Sequence, residues 1–346
     1  MNDVTPKISN KSTGRRYQWL FYIINPIKYL IQAGFLAWGG LAIYYSNLPW
    51  DWLRLVLAIL FAGFGIWALW LKRTWRFFLI FAVLFVGVLI WWLTIQPTHD
   101  RPWRAEVARM PHIIIDGDRV RIFNVRNFDY RSRHDFTVRY EERDVYLSHL
   151  TGVDFFISYF MPGPVGHTFL SFIFDNAPPV SISIETRPVE GRGFEPIASM
   201  FKQFELIYVV GDERDLVRVR TNYRKERVFL YHIKISPEKA RQLFLVYVQR
   251  INELAAHPEF YNLLSNSCTI NIVRYANAAG RIKRFDIRHF LNGFFDAYLY
   301  DFGWLNTTIP FEELREQSYI NKVAQAADNS PDFSQRIRQS LPSARP

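Results

Sequence analysis

The stretch Gly166-His167-Thr168-Phe169-Leu170-Ser171-Phe172-Ile173-Phe174 sets a histidine at the head of an apolar strand. Met161-Pro162-Gly163-Pro164 forces a turn directly before it, and Val153 to Phe160 ahead of that turn reads as another apolar strand. On the far side, Asn176-Ala177-Pro178-Pro179 breaks the chain. Val180 to Glu185 then alternates apolar with polar residues, the period of a half-buried strand, so a hairpin is expected. That alternation puts Ser181, Ser183 and Glu185 on the face opposite Ile182 and Ile184. Far downstream, Ser265-Asn266-Ser267-Cys268-Thr269 leads into an apolar run that reads as a helix with Gly280 as its stop. Strands first and helices later give an α+β class.

Cys268 is the only cysteine in the chain, so no internal disulfide is available to it. With Asn266 or Ser267 as N-cap, Cys268 falls in the first turn, where unpaired N–H groups and the helix dipole favour an anion. A thiolate is the nucleophilic form, and a helix amino terminus with a nearby histidine lowers a cysteine pKa. The same N–H groups suit the oxyanion of a tetrahedral intermediate. His167 is the base expected to meet Cys268. Glu185, then Ser183, are the groups expected to orient its imidazole. The plainer readings stand beside these: a buried structural cysteine, a core histidine, and Glu185 paired with Arg187 at the surface.

Elsewhere, Arg119 to Val125, Thr137 to Tyr140, Phe204 to Val210, Leu216 to Arg220 and Val228 to Ile235 read as strands. Ser236 caps a helix with Pro237 at its first position. Ala240, Leu243, Phe244, Tyr247, Ile251 and Leu254 give that helix one apolar face. Ser, Pro, Arg and Gln dominate the end of the chain, so residues 324–346 read as disordered.

The first hundred residues have a different character. Tyr29 to Tyr45, Leu55 to Leu71 and Phe77 to Ile95 are free of ionised side chains, and each approaches the roughly 17–25 residues that cross a bilayer as a helix. Trp50, Trp52, Trp70, Trp75, Trp91 and Trp92 mark their ends. A long basic stretch precedes the first run and no small-residue cleavage site follows it, which argues against a cleaved signal peptide. Lys7, Lys11, Arg15, Arg16 and Lys28 lie before the first run, and Lys72, Arg73 and Arg76 lie after the second. The first loop carries one acid and one base. The positive-inside rule therefore predicts a cytoplasmic basic tail over 1–28, three membrane helices within 29–95, and an exported domain over 97–323. A lone thiol suits an oxidising compartment, having no second one in the chain to pair with.

Composition removes several function classes. The net charge of +10 is spread through alternating acids and bases in the second half, which favours an anionic membrane surface over nucleic acid. His99, His112, His134, His149, His232, His257 and His289 show no metal-ligand spacing, and no dinucleotide fingerprint or nucleotide loop occurs, so neither metal nor cofactor is expected. Asp212-Glu213-Arg214-Asp215 with Arg218, Arg220, Arg224, Lys225 and Arg227 reads as a salt-bridged, solvated surface, or alternatively as a patch for lipid phosphates.

Several ordered motifs resemble one family. Gly166-His167-Thr168 with Ser171-Phe172, Ser183-Ile184-Glu185-Thr186-Arg187, Glu205 to Val210, Glu213-Arg214-Asp215, Arg220 to Arg224, Phe260-Tyr261-Asn262, Asn266-Ser267-Cys268-Thr269 and the segment from Asp286-Ile287-Arg288 to Gly303 are similar to the Lnb N-terminal periplasmic domain family. The resemblance covers roughly Phe123 to Asn321 and departs at Ser267, where the family pattern has asparagine directly before the cysteine. It implies a permuted papain-like fold of NlpC/P60 type, with histidine on a strand before cysteine on a helix. It also implies acyl transfer through a Cys268 thioester, with bacterial phospholipid or lipoprotein as the acyl partner at the inner membrane. A cell-envelope cysteine amidase or peptidase, and a non-catalytic membrane-tethered binding module, are the alternatives.

Overall fold

The three apolar runs near the start of the chain are helices in the computed structural model, which describes residues 18–160, 163–280, 285–339 and 341–342. They are α1 (Gln18–Tyr44), α2 (Asp51–Ile66), continued by a π-helical turn over Trp67–Lys72, and α3 (Trp75–Thr94). Residues 51–72 and 75–94 are each long and apolar enough to cross a membrane, whereas α1 carries Pro26 and Lys28 within it. Ile43, Phe61, Leu69 and Phe81 pack together against Leu36 and Phe85. At Gly39 a Cβ would come within 2.7 Å of the Phe61 ring, so glycine permits the approach of α2. Leu60, Leu71, Val83 and Ile90 point outward, the reverse of a water-soluble bundle. Most of the basic tail, residues 1–17, lies outside the described residues.

A second unit begins at Pro97. Its strands are β1 (His112–Asp116), β2 (Arg119–Arg126), β3 (Asp129–Tyr130), β4 (Phe136–Thr137), β5 (Tyr140–Tyr146), β6 (Leu150–Tyr159), β7 (His167–Phe174), β8 (Val180–Arg187), β9 (Glu205–Gly211) and β10 (Arg227–His232). Its helices are α4 (Glu213–Leu216), α5 (Pro237–Ala256), α6 (Cys268–Ala278), α7 (Phe295–Asp301), α8 (Phe311–Gln317), α9 (Asn321–Ala326) and α10 (Phe333–Arg336). The main sheet runs β1-β2-β9-β8-β7-β6-β10, with β5 paired to β2. Every pairing in it is antiparallel except the single parallel bridge of Arg126 to Gly211. The fold is thus α+β with a mixed sheet.

Helices cover both faces of the central strands, one of them apolar and the other carrying buried Asp154, Ser158, Ser171, Ser181 and Ser183 around Phe156 and Phe169. On one, Phe172 meets Phe244 and Tyr247 of α5, and Thr168 hydrogen-bonds Thr269 of α6 at 2.8 Å. On the other, Phe156 stacks on Phe169 with ring centres 4.7 Å apart, and Ile320, Ala324, Phe333 and Ile337 close over them. Ser236 caps α5 by accepting from the Lys239 N–H, with Pro237 in the first turn.

Four expectations from sequence are corrected. Leu216 to Arg220 is helical rather than a strand: Asp212 accepts the Arg214 N–H and starts α4, and a π-helical turn over Val219–Tyr223 follows. Of the charged run around it, Asp212, Glu213, Asp215, Arg218 and Arg220 are buried, whereas Lys225 and Arg227 are exposed. Asp215 takes a bidentate bond from Arg126, Arg143 bonds Asp212, and Arg218 bonds Asp129. Thr137 to Tyr140 spans the gap between β4 and β5, because Phe136 stacks on Phe128 and draws its segment into a separate hairpin with β3. Finally, the segment from residue 324 is ordered through 339. Phe333 and Ile337 enter the core, while Arg338 bonds Asp154 at 2.8 Å and Glu213 at 2.6 Å and 2.7 Å.

Candidate active site

Residues 167, 169 and 171 of β7 share a sheet face with 181, 183 and 185 of β8, since Phe169 pairs with Ser183 and Ser171 with Ser181. His167 therefore sits diagonal to Ser183, within side-chain reach. His167 Nε2 lies 2.7 Å from Ser183 Oγ, and Ser183 Oγ donates to Glu185 Oε1 at 2.8 Å. Because Ser183 spends its proton on Glu185, its oxygen is the acceptor for His167 Nε2–H. Nδ1 is thereby left as the nitrogen for a second partner. Glu185 Oε1 is itself 3.7 Å from Nε2, so serine mediates the carboxylate's hold on the ring. Ser181, the third polar residue of that face, bonds Ser171 instead.

Glu185 is held from behind by Arg220, not Arg187, at 2.7 Å. Burial pushes this carboxyl up, but the guanidinium of Arg220, the charge on His167, that of Arg126 and the Ser183 hydroxyl hold it at about 2. Arg220 also faces Glu226 at 3.5 Å, and Glu226 accepts from Ser158 at 2.5 Å. Arg187 is turned away, its guanidinium donating to the carbonyls of Val107 and Ala108.

Cys268 is the first residue of α6 and is 3% exposed. Ser267 occupies the N-cap position without a side-chain cap bond. Asn266 instead braces the loop: its amide nitrogen donates to the Phe260 carbonyl, and its oxygen accepts from Asn271. Burial pushes the thiol up. A hydrogen bond from His167, the charge of that imidazole, and the N–H and hydroxyl of Thr168 outweigh it and hold the thiol at about 6, against an ordinary 9.0. Ser183 thus links His167 to Glu185, while the Thr168–Thr269 hydrogen bond ties the residue after His167 to the residue after Cys268.

Sequence reading missed four contributors. Arg220 was lost within a run of charges, and Thr168 and Thr269 carry no chemical signature. Asn292 lies in a 3₁₀ turn over Asn292–Phe294, with Nδ2 3.8 Å from Cys268 Sγ; only its place in the segment from Asp286 to Gly303 pointed toward it. An apolar pocket lined by Val153, Phe155, Leu170, Ile272, Phe295 and Trp304, among others, includes neither Cys268 nor His167.

In comparisons with known proteins, residues 136–293 match the model of the Lnb N-terminal periplasmic domain, a span that holds His167, Ser183, Glu185, Cys268 and Asn292. No curated protein and no solved structure matches the chain.

Proposed function

We propose, from the premise that residues 136–293 are an Lnb N-terminal periplasmic domain, that the chain is a membrane-anchored periplasmic thiol enzyme. It transfers or hydrolyses acyl groups of phospholipid or lipoprotein. In this reading α1, α2 and α3 all span the bacterial inner membrane, and the unit from Pro97 is a permuted papain-like domain of NlpC/P60 type facing the periplasm. The relevant surface is anionic phospholipid. The observation that carries the reading is the hydrogen-bonded line Glu185–Ser183–His167 on a strand that the Thr168–Thr269 bond ties to the head of the Cys268 helix.

The chemistry follows from that line. The Cys268 thiolate attacks an ester carbonyl, and a carbon–sulfur bond forms as the carbonyl pair moves to oxygen. Collapse expels the alcohol oxygen, which takes its proton from His167, leaving an acyl thioester on Cys268. An amine or water then gives a proton to His167 and attacks the thioester, and the thiolate leaves. Ser183 and Glu185 stabilise the imidazolium that both steps require.

Intact-mass analysis of the full-length protein after incubation with phosphatidylethanolamine and phosphatidylglycerol vesicles tests this. An acyl mass increment on Cys268, absent in Cys268→Ala and labile to hydroxylamine, is expected. A wild-type protein that stays unacylated, or a Cys268→Ala variant that still releases fatty acid, would refute it.

A further inference from the structure

Asn292 is a buried amide whose orientation is settled by its neighbours. The Gly166 N–H points at it from 2.9 Å and requires an acceptor, so Oδ1 faces Gly166 and Nδ2 faces Cys268 Sγ at 3.8 Å. Asn292 is 7% exposed. Its backbone is held just as firmly. The Gly293 N–H donates to the Pro164 carbonyl at 2.8 Å, and the Tyr159 hydroxyl donates to the Gly293 carbonyl at 2.5 Å. A Cβ at Gly293 would stand 2.6 Å from the Pro164 carbonyl carbon, so no side chain fits at that position. These contacts tie the lead-in to the His167 strand directly to the Asn292 turn, with the amide aimed at sulfur.

The geometry points to Asn292 as a catalytic residue, donating Nδ2–H to the Cys268 thiolate and then to the oxyanion formed when that thiolate attacks. This role rests on the thiol acyl-transfer reading above. A contact of 3.8 Å is long for direct work on sulfur alone. The oxygen of a tetrahedral adduct, however, stands about 2.6 Å from the sulfur that carries it, and placed toward Nδ2 it enters the ~2.7–3.1 Å range of an effective oxyanion donor. The oxygen then lies beside the Nδ2–Sγ line, where one N–H reaches it without moving away from the sulfur. When the carbon–sulfur bond forms, the carbonyl π pair moves to that oxygen and Nδ2–H accommodates it. When the adduct collapses, the pair returns and the leaving oxygen takes its proton from His167. A donor preorganised in a dry site costs nothing to orient at the moment of reaction.

Asn292→Asp is the informative variant, since it keeps an acceptor for Gly166, removes the donor and adds negative charge beside the sulfur. Asn292→Ala removes the donor without charge. In full-length protein, both are expected to slow Cys268 acylation from phosphatidylethanolamine and phosphatidylglycerol vesicles by roughly 10²–10³-fold, the usual loss for one oxyanion donor, with KM little changed. Asn292→Asp is also expected to raise the pH midpoint of iodoacetamide alkylation of Cys268, while its circular dichroism stays that of the parent. Acylation within threefold of wild type in both variants would overturn the role. If wild type itself forms no acyl adduct, the functional reading falls, and the alkylation midpoint decides Asn292 separately: a rise in Asn292→Asp supports the contact with the thiolate, and an unmoved midpoint refutes it.

Discussion

Replacing His167 with alanine tests the assembled site most directly, and the size of the effect depends on pH in a way a single-rate assay conceals. With the thiol at about 6, roughly 90% of Cys268 is thiolate at pH 7. Without His167, burial is the largest influence left, and the thiol returns to 9.0 or above, leaving about 1% ionised at pH 7. The thiolate population falls about 90-fold. A more basic thiolate is also intrinsically more nucleophilic, with a Brønsted slope of about 0.4–0.5, which over that interval returns roughly 20-fold. The net expectation is a decrease of only ~4–5-fold in alkylation at pH 7, crossing to a faster variant above about pH 8. The assay is iodoacetamide labelling of full-length protein across pH 5 to 10. Because Cys268 is the only cysteine in the sequence, all label reports on it. A midpoint near 6 in wild type and near or above 9 in His167→Ala is expected. Superimposable profiles, or a wild-type midpoint near 9, would refute the pairing of thiol and imidazole.

Ser183→Ala, which breaks the bridge between His167 and Glu185, should lower turnover by roughly 10–100-fold, a part of the ~10²–10⁴ supplied by general acid–base catalysis, as read by acyl release from vesicles. Glu185→Gln should do the same and also free Arg220 from one partner, so a loss confined to Glu185→Gln would place the orienting role in the ion pair rather than the serine bridge. Arg338→Ala should destabilise the unit from Pro97 by about 3–5 kcal/mol, since it strands the buried carboxylate of Glu213 and takes from Asp154 its partner beside His232. Thermal melting of the detergent-solubilised protein measures this, and an unchanged midpoint would show those carboxylates to be satisfied without it.

What the sequence disclosed and what it hid divide along a physical line. The β7–β8 hairpin, the Ser236 cap and the place of Cys268 in the first turn of α6 are local events, written in alternation, turn residues and capping chemistry. His167, Ser183 and Glu185 were legible because strand parity assigns faces and all three fall on one. Leu216 to Arg220 misled because its charges alternate with apolar residues as in a half-exposed strand, although Arg218 and Arg220 point inward to carboxylates contributed by distant segments. Polar composition misled in the tail for the same reason: Arg338 looks solvated until Glu213 and Asp154 are placed around it. Asn292 was invisible for a different cause. Its significance depends on an approach to Sγ that only the folded chain creates.

The Arg338 pairing has a consequence for the order in which the protein is made. Asp154 and Glu213 are synthesised first in the unit from Pro97, and the guanidinium that bonds both arrives more than a hundred residues later in the chain. Until residue 338 has emerged, Glu213 lacks its ion pair and Asp154 has His232 but not the guanidinium. The unit from Pro97 is therefore expected to close fully only once residue 338 is in place. Products cut short before residue 338 would carry Cys268, His167, Ser183 and Glu185 without the ion pairs that seal the sheet behind them, so Arg338 governs the stability of a site it does not touch.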